Sequence, residues 1–362
     1  MATESIPASP DVASRAASLP DLSSCALIAA ALAYPALLDA AYAALDRHAR
    51  LGQWSDRVGE CCFFTLAMAG AYAVPVLALW VARRAIGQLE SPGANERVQR
   101  VAHLAFAAPP LYTLVGVVTA LFHIGGLDVL AWILLWGAVA VHIARSPREA
   151  KTITPPGRSP FLRSFHGSIA LTIIVIFLAA HFANHVLALW TPQLHERVMR
   201  TLEVWYRNRA VEPALVMLIV CLVASGLVLA WSHIGRSPQD GFRTMQTLTG
   251  FYLAAFIVSH LCAAFLLARW EQHIPTNWAW ASGAPAGILG DRWNIRLLPH
   301  YSIAVWAAIT HAGLGARQVL RAYGVAARRA DRVAFAMSVF GAAVSLLISS
   351  ALVGLHLGEI SH

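Results

Sequence analysis

Residues 165–190, FHGSIALTIIVIFLAAHFANHVLALW, form a run without Asp, Glu, Lys or Arg that is long enough to cross a bilayer. A hydrocarbon core about 30 Å thick takes roughly 20 residues of helix. The same run holds His166, His181 and His185, so the plainest span is also the one richest in titratable groups. Outward from it, further apolar runs lie near 23–45, 61–82, 101–124, 126–144, 211–232, 245–268, 298–316 and 333–357. The expected fold class is all-α, a polytopic transmembrane helix bundle of about nine spans.

Composition agrees. Of 362 residues 58% are hydrophobic and 13% charged, with a mean hydropathy of +0.59; soluble domains carry about 25% charge. The net charge of +8 does not point to nucleic acid, because Lys and Arg fall between the apolar runs rather than along one face. The expected partner is the lipid bilayer. Counted by alternating side, 17 of the 27 Lys and Arg lie on one face and 10 on the other. Short basic loops stay in the cytoplasm. The expected location is therefore integral to a membrane, of the bacterial inner-membrane kind, with the N-terminus cytoplasmic and the C-terminus external.

Four regions follow. Residues 1–22 are small, polar and Pro-containing, with neither a basic stretch nor an apolar core, and are expected to be a disordered cytoplasmic tail. Residues 23–144 hold four spans; the first carries Asp39, the third is interrupted by Pro109-Pro110, and Gly125-Gly126 joins the third to the fourth in a tight hairpin. Residues 145–163, with Pro147, Pro155, Pro156 and Pro160, form a cytoplasmic linker, and 164–362 hold five spans. Two external loops are long enough for structure. In 191–210, Leu194, Val198, Leu202 and Trp205 recur at helical spacing opposite Arg197, Arg200 and Glu203, as in an interfacial helix. Residues 270–298 carry Trp270, Trp278, Trp280 and Trp293, aromatics that favour the headgroup level, and are expected to cap the outer surface.

Fifteen histidines are the most informative feature, since an ionisable group inside a bilayer costs about 2.5 kcal/mol or more. Those deepest in their spans are His181, His260 and His311. His181 and His260 each lie about 16 residues from the inner ends of spans five and seven, which run in the same direction, so their imidazoles share one level. Two imidazoles facing each other across apolar helices are what a six-coordinate haem iron needs. His185, one turn from His181, shares its face and is a candidate for a propionate or quinone carbonyl. A second arrangement sets His166 and His181 of span five against His300 and His311 of span eight, one haem near each membrane face. The five-to-seven pair is preferred because His166 and His300 sit at span ends, where interfacial histidines are common. Small residues beside the candidates, Ala179, Ala180, Ala263, Ala264, Gly313 and Gly315, allow a planar ring to approach the backbone, and serve helix packing equally well. Cys25, Cys61, Cys62, Cys221 and Cys262 show no metal or redox spacing and read as packed or lipid-facing thiols.

Three segments carry a family resemblance: Arg163-Ser-Phe-His166-Gly167-Ser168 opens the span of His181, Arg243-Thr-Met-Gln246-Thr-Leu-Thr249-Gly250 opens that of His260, and His311-Ala-Gly313-Leu-Gly-Ala-Arg317 closes the next. On these short motifs residues 163–324 resemble the membrane-anchor cytochrome b of respiratory complex II, the succinate dehydrogenase and fumarate reductase anchors. The resemblance implies haem b bound between helices, with His181 and His260 as axial ligands of the iron and His311 as a further ligand candidate. Arg243, Gln246 and Ser168 become polar candidates beside a propionate or quinone. It implies electron transfer in the bilayer, to or from quinone, as the membrane component of a quinone-linked oxidoreductase. Two departures matter. Span six offers only Cys221 and Ser225 at mid-depth, so His311 lacks a partner for a second haem, and four spans precede residue 163 where the family's anchors have three to five in all.

The rival class is a non-redox transporter or lipid-handling protein in which Asp39, Glu212, His123 and His142 line a path. A third option is an anchor that docks a soluble redox partner through basic cytoplasmic loops, chiefly Arg317, Arg321, Arg328, Arg329 and Arg332. No covalent-haem, phosphate-loop, dinucleotide or zinc-protease motif is present.

Overall fold

A backbone in lipid must satisfy its own polar groups, and all regular structure among the described residues is helical. The computed structural model describes residues 22–51, 54–86, 92–145, 160–234 and 240–359. The tail expected up to residue 22 and the linker expected at 145–163 lie outside these residues over 1–21 and 146–159.

The helices are α1 (Leu22–Arg50), α2 (Trp54–Arg84), α3 (Pro92–Phe106), α4 (Ala108–Leu121), α5 (Asp128–Arg145), α6 (Pro160–Ile173), α7 (Ala179–Leu187), α8 (Pro192–Tyr206), α9 (Val211–His233), α10 (Gly241–Leu261), α11 (Trp278–Ala281), α12 (Leu297–Ala322) and α13 (Ala327–Leu352). A π-helical turn, Ile174–Leu178, fuses α6 to α7, and a longer one, Cys262–Glu271, extends α10. Among the described residues seven helices are long and apolar enough to cross a membrane, or eight if α3 and α4 count as one broken span.

The nine expected spans differ from this count at two places. The run at 101–124 is bent by 62° between Phe106 and Ala108. Pro109 and Pro110 occupy the first turn of α4, where a missing N–H costs nothing, and neither can donate back into α3. The run at 298–316 lies in α12, a 26-residue helix whose His300, Ser302, Thr310 and His311 leave it outside the seven.

Small residues set the helix packing. Between α1 and α2, Ala31, Ala41, Ala71, Ala78 and Ala82 are fully buried and bring the backbones together, as membrane helices require when lipid is as apolar as the core. One apolar core runs from these helices through Tyr112, Trp132 and Trp136 to Leu248 and Tyr252 of α10 and Ala304 and Ala307 of α12. α12 and α13 form the other close pair. A Cβ on Gly341 would lie 3.0 Å from Ile309 Cβ and 3.2 Å from the Trp306 carbonyl, while Ser345 Oγ donates to the Ser302 carbonyl at 2.6 Å. Large apolar side chains such as Val220, Val228, Ile133 and Leu134 face outward, where lipid rather than water would meet them.

α8, α11 and the segment 272–296 gather at one end of the bundle, called the cap side below. A helix forms over the expected stretch as α8; it docks by His195, which is 2% exposed, while Trp205 is 72% exposed. The cap is fastened to the first four membrane helices by ion pairs. Arg296 and Asp128 meet at 2.6 Å, both nearly out of contact with solvent, under the rings of Tyr112 and Trp293. Arg292 meets Asp39 at 2.6 Å in a more exposed position.

Gly341→Val should force α12 and α13 apart and destabilise the protein by about 1–3 kcal/mol. Thermal unfolding in mild detergent measures this; an unchanged midpoint would show that the pair repacks freely.

Candidate functional site

The histidines of the second half form two layers. In the cap-side layer, His181 and His185 project from α7 one turn apart, with ring centroids 4.7 Å apart. The π turn Ile174–Leu178 just before them resets the face they present, a feature that often marks functional positions. His195 of α8 lies 5.1 Å from His185, and Trp278 of α11 covers both at 4.8 and 6.1 Å. Across the bundle, Phe256 is flanked by His260 at 5.6 Å and by His300 at 4.7 Å, and Trp280 lies 6.2 Å from His260. Neighbouring tryptophans of α11 link the two groups, Trp278 against His185 and His195 and Trp280 beside His260. The Nδ1 atoms of His185, His195, His260 and His300 are buried with no hydrogen-bond partner among the described residues.

The second layer lies toward the opposite face, at the starts of α6 and α10 and past the middle of α12. His166 and His311 face each other with centroids 6.5 Å apart and rings nearly perpendicular. Hydroxyl groups fix both tautomers. Ser225 Oγ gives its proton to the Leu222 carbonyl, so it accepts from His166 Nδ1 at 3.0 Å. Thr249 Oγ1 donates to the Met245 carbonyl at 2.7 Å and accepts from His311 Nδ1 at 3.1 Å. Each ring therefore keeps the lone pair on Nε2, the arrangement by which outer hydrogen bonds orient a metal-ligating histidine. Gln246 Nε2 lies 3.4 Å from His311 Nε2. Glycines make room for both rings: a Cβ on Gly226 would come 3.0 Å from His166 Cε1, and one on Gly250 would come 2.9 Å from His311 Cε1.

The remaining candidates are placed as follows. His181, His185 and His260 share the cap-side layer, and His311 and Gln246 share the other. Arg243 is half-buried at the start of α10 with Nη1 3.5 Å from His233 Nδ1, and Ser168 lies on the exposed side of α6. His166 lies across from His311, the same-face pairing that the second arrangement contained, and His300 is 2% exposed, enclosed by Phe256 and Tyr301. Gly313, taken as room for a ring, packs against Met337 instead. Sequence reasoning named Ser225, Thr249 and Gly250 without seeing that they border the two rings, and missed Gly226; the Ser225-Gly226 pair in an otherwise apolar span was the signal available.

The groups proposed for a transport path are spread apart. Asp39 is paired with Arg292, Glu212 holds Arg269 at 2.6 Å, His123 meets Glu271 at 3.2 Å near the surface, and His142 is exposed on α5. Cys221 packs against Ile169, Ile173 and Leu215, as expected of a packed thiol, and all five cysteines are free. No three His, Cys, Asp or Glu side chains among the described residues are grouped to hold a bare metal ion. Comparisons with protein-family models, curated proteins and solved structures return no match to this chain.

His195 lies outside the spans, and burial against uncharged neighbours holds its pKa down to about 4 from the ordinary 6.5. An undocked α8 takes up a proton below pH 6.5 that the docked helix refuses until about pH 4, so docking should weaken as pH falls through that window. Amide protection factors over 192–206, corrected for the intrinsic exchange rate at each pH, should fall between pH 6.5 and 4 in the wild type and stay level in His195→Phe.

Proposed function

We propose that this chain is a b-type cytochrome-like membrane protein that binds haem between its helices and passes electrons within the bilayer, to or from a quinone-class carrier. The observation that supports it best is the His166–His311 pair: two imidazoles on different helices, each pinned through Nδ1–H and keeping its lone pair on Nε2, where His311 meets only the long 3.4 Å contact from Gln246, with ring centroids 6.5 Å apart. That spacing suits one metal ion held between two ring nitrogens at about 2.0–2.1 Å from each. Glycine in place of any larger residue at 226 and 250 fits the same purpose, because backbone rather than side chain lines the rings.

In this reading His166 and His311 hold one haem, and His181 with His260 hold another in the cap-side layer. Bound haem supplies a one-electron carrier inside the apolar slab. Ser225 and Thr249 keep the ligand nitrogens unprotonated and aimed, Gln246 stands by His311 as a donor, and Phe256, Trp278 and Trp280 exclude water from the other layer. Counting the broken pair α3 and α4 as one span and α12 as another gives nine crossings, with the N-terminus in the cytoplasm. The exposed Arg321, Arg328, Arg329 and Arg332 then face the cytoplasm as a docking surface for a soluble redox partner, while Arg317 is committed to Asp331 at 2.6 Å.

Oxidised and dithionite-reduced spectra of the protein in mild detergent decide the matter. The expected result is a Soret band with a sharp reduced α band; a colourless protein overturns the proposal. His166→Ala and His311→Ala should each remove the same part of the spectrum, and His181→Ala and His260→Ala a different part. Loss of all colour in His185→Ala would instead transfer the ligand role to that residue.

A further inference from the structure

Each of the first four membrane helices, the broken pair counted as one, places a polar contact on the same short segment, Arg292–Ser302. From α1, Asp39 binds Arg292 at 2.6 Å. From α2, the Tyr72 hydroxyl shares a 2.7 Å hydrogen bond with Ser302 Oγ. From α4, the Tyr112 ring lies 4.4 Å under the Arg296 guanidinium, and Gly116 leaves the space in which its Nη1 rests. From α5, Asp128 accepts from Arg296 Nη2 at 2.6 Å. Contacts from four helices on about ten residues exceed what packing a loop requires.

The segment is also the hub of the cap-side histidine layer. His300 follows Arg296 by one turn, in continuous helical backbone, and Tyr252 OH of α10 donates to the carbonyls of Pro299 and His300 at 3.2 and 3.1 Å. In the other direction, Asn294 Nδ2 donates to the Gly283 and Gly287 carbonyls at 3.0 and 3.2 Å, fixing the turn that follows α11. α11 in turn lays Trp278 on His185 and His195 and Trp280 beside His260. An unbroken series of contacts thus runs from Asp128 and Asp39 to four of the five imidazoles in that layer. None of these side-chain contacts touches His166 or His311, whose hydrogen-bond partners belong to α9 and α10; His311 shares α12 with His300 but lies about three turns further on.

We infer that Asp128 and Asp39 are positioning residues for the cap-side histidine layer, acting through Arg296 and Arg292, and that holding this cap is a task of the first four membrane helices. The Asp128 pair carries the larger part. It is buried, so removing its charge strands a guanidinium in an apolar surrounding, whereas the Asp39 pair stays in contact with solvent, where ion pairs contribute little. The inference rests on the reading of the histidine layers as ligand sites, and its test is chosen to work with or without a bound group.

The experiment is nitrogen NMR of the full chain labelled with ¹⁵N-histidine and held in lipid nanodiscs, with signals assigned by single-histidine variants. Asp128→Asn should shift the imidazole resonances of His300, His185 and His260 and leave those of His166 and His311 in place. Asp128→Glu, which keeps the charge, should recover part of the shift, and Asp39→Asn should give a smaller version of it. Equal movement of both layers would mean general loosening, and no movement in either would mean the cap is held by other contacts; both results overturn the inference. Should Asp128→Asn not fold, Gly116→Ala makes the same comparison, since its Cβ would stand 2.6 Å from Arg296 Nη1 without removing a charge. A colourless wild-type protein would remove the cytochrome proposal and leave this comparison intact.

Discussion

The structure depends on a constraint imposed by its surroundings: a polar group inside an apolar slab has no water to fall back on and must find its partner in the protein. The buried pair of Arg296 and Asp128 meets the constraint with charge against charge, and Tyr112 supplies both a ring face and a hydroxyl to the same pair. The histidines meet it differently. His166 and His311 stay neutral and spend Nδ1–H on a hydroxyl whose own proton is already given to a carbonyl. His103 in the first half instead uses both nitrogens, Nδ1–H donating to the Gln99 carbonyl and Nε2 accepting from Thr247 Oγ1, and is thereby accounted for as a structural residue. What separates a candidate ligand from a packing histidine is thus which nitrogens are left over, and depth alone does not tell.

That distinction explains how much could be read in advance. Apolar runs of span length are written directly in residue order, so the helical bundle and most of its crossings were legible, as was the broken third run, because Pro109-Pro110 act locally. His181, His260 and His311 were singled out by their apolar neighbours. The choice between the two possible pairings did not follow. Whether His311 faces His166 or another residue depends on the rotation of α6 and α12 about their axes, and a span surrounded by lipid on one side and helices on the other gives weak periodicity. His166 was set aside for a related reason: distance from a span end measures depth along the chain, but contacts are set by neighbouring helices. His300 is likewise enclosed by neighbours that its position in the chain does not show, Phe256 of α10 foremost.

The two halves of the chain are likewise joined more closely than a boundary near residue 160 implies. Tyr252 and Leu248 of α10 sit in one apolar core with Tyr34, Phe106 and Trp132, and Trp132 Nε1 donates to the Ala31 carbonyl within it. Aromatic edges meet throughout this region, with Tyr112 against Tyr34 and Trp132, and Phe106 against Tyr252. Such contacts favour one relative placement of the helices, which a wall of aliphatic side chains would not. The second half therefore inherits its geometry in part from the first.

The π turn at Ile174–Leu178 has a bearing on how such a protein changes over generations. A π turn holds one residue more than the α-helix needs, and each residue turns a helix by about 100°. Deleting a single residue there would be absorbed by a return to an ordinary α turn, whereas deleting one from the α-helical turns beside it would leave the span apolar, nearly as long and still able to insert, yet swing His181 and His185 round to a different neighbour. A descendant chain could lose or exchange its histidine layer in one genetic step while its hydropathy profile stayed the same. Between relatives of such a protein, the alignment gap inside an otherwise featureless apolar stretch would carry more information than the substitutions around it.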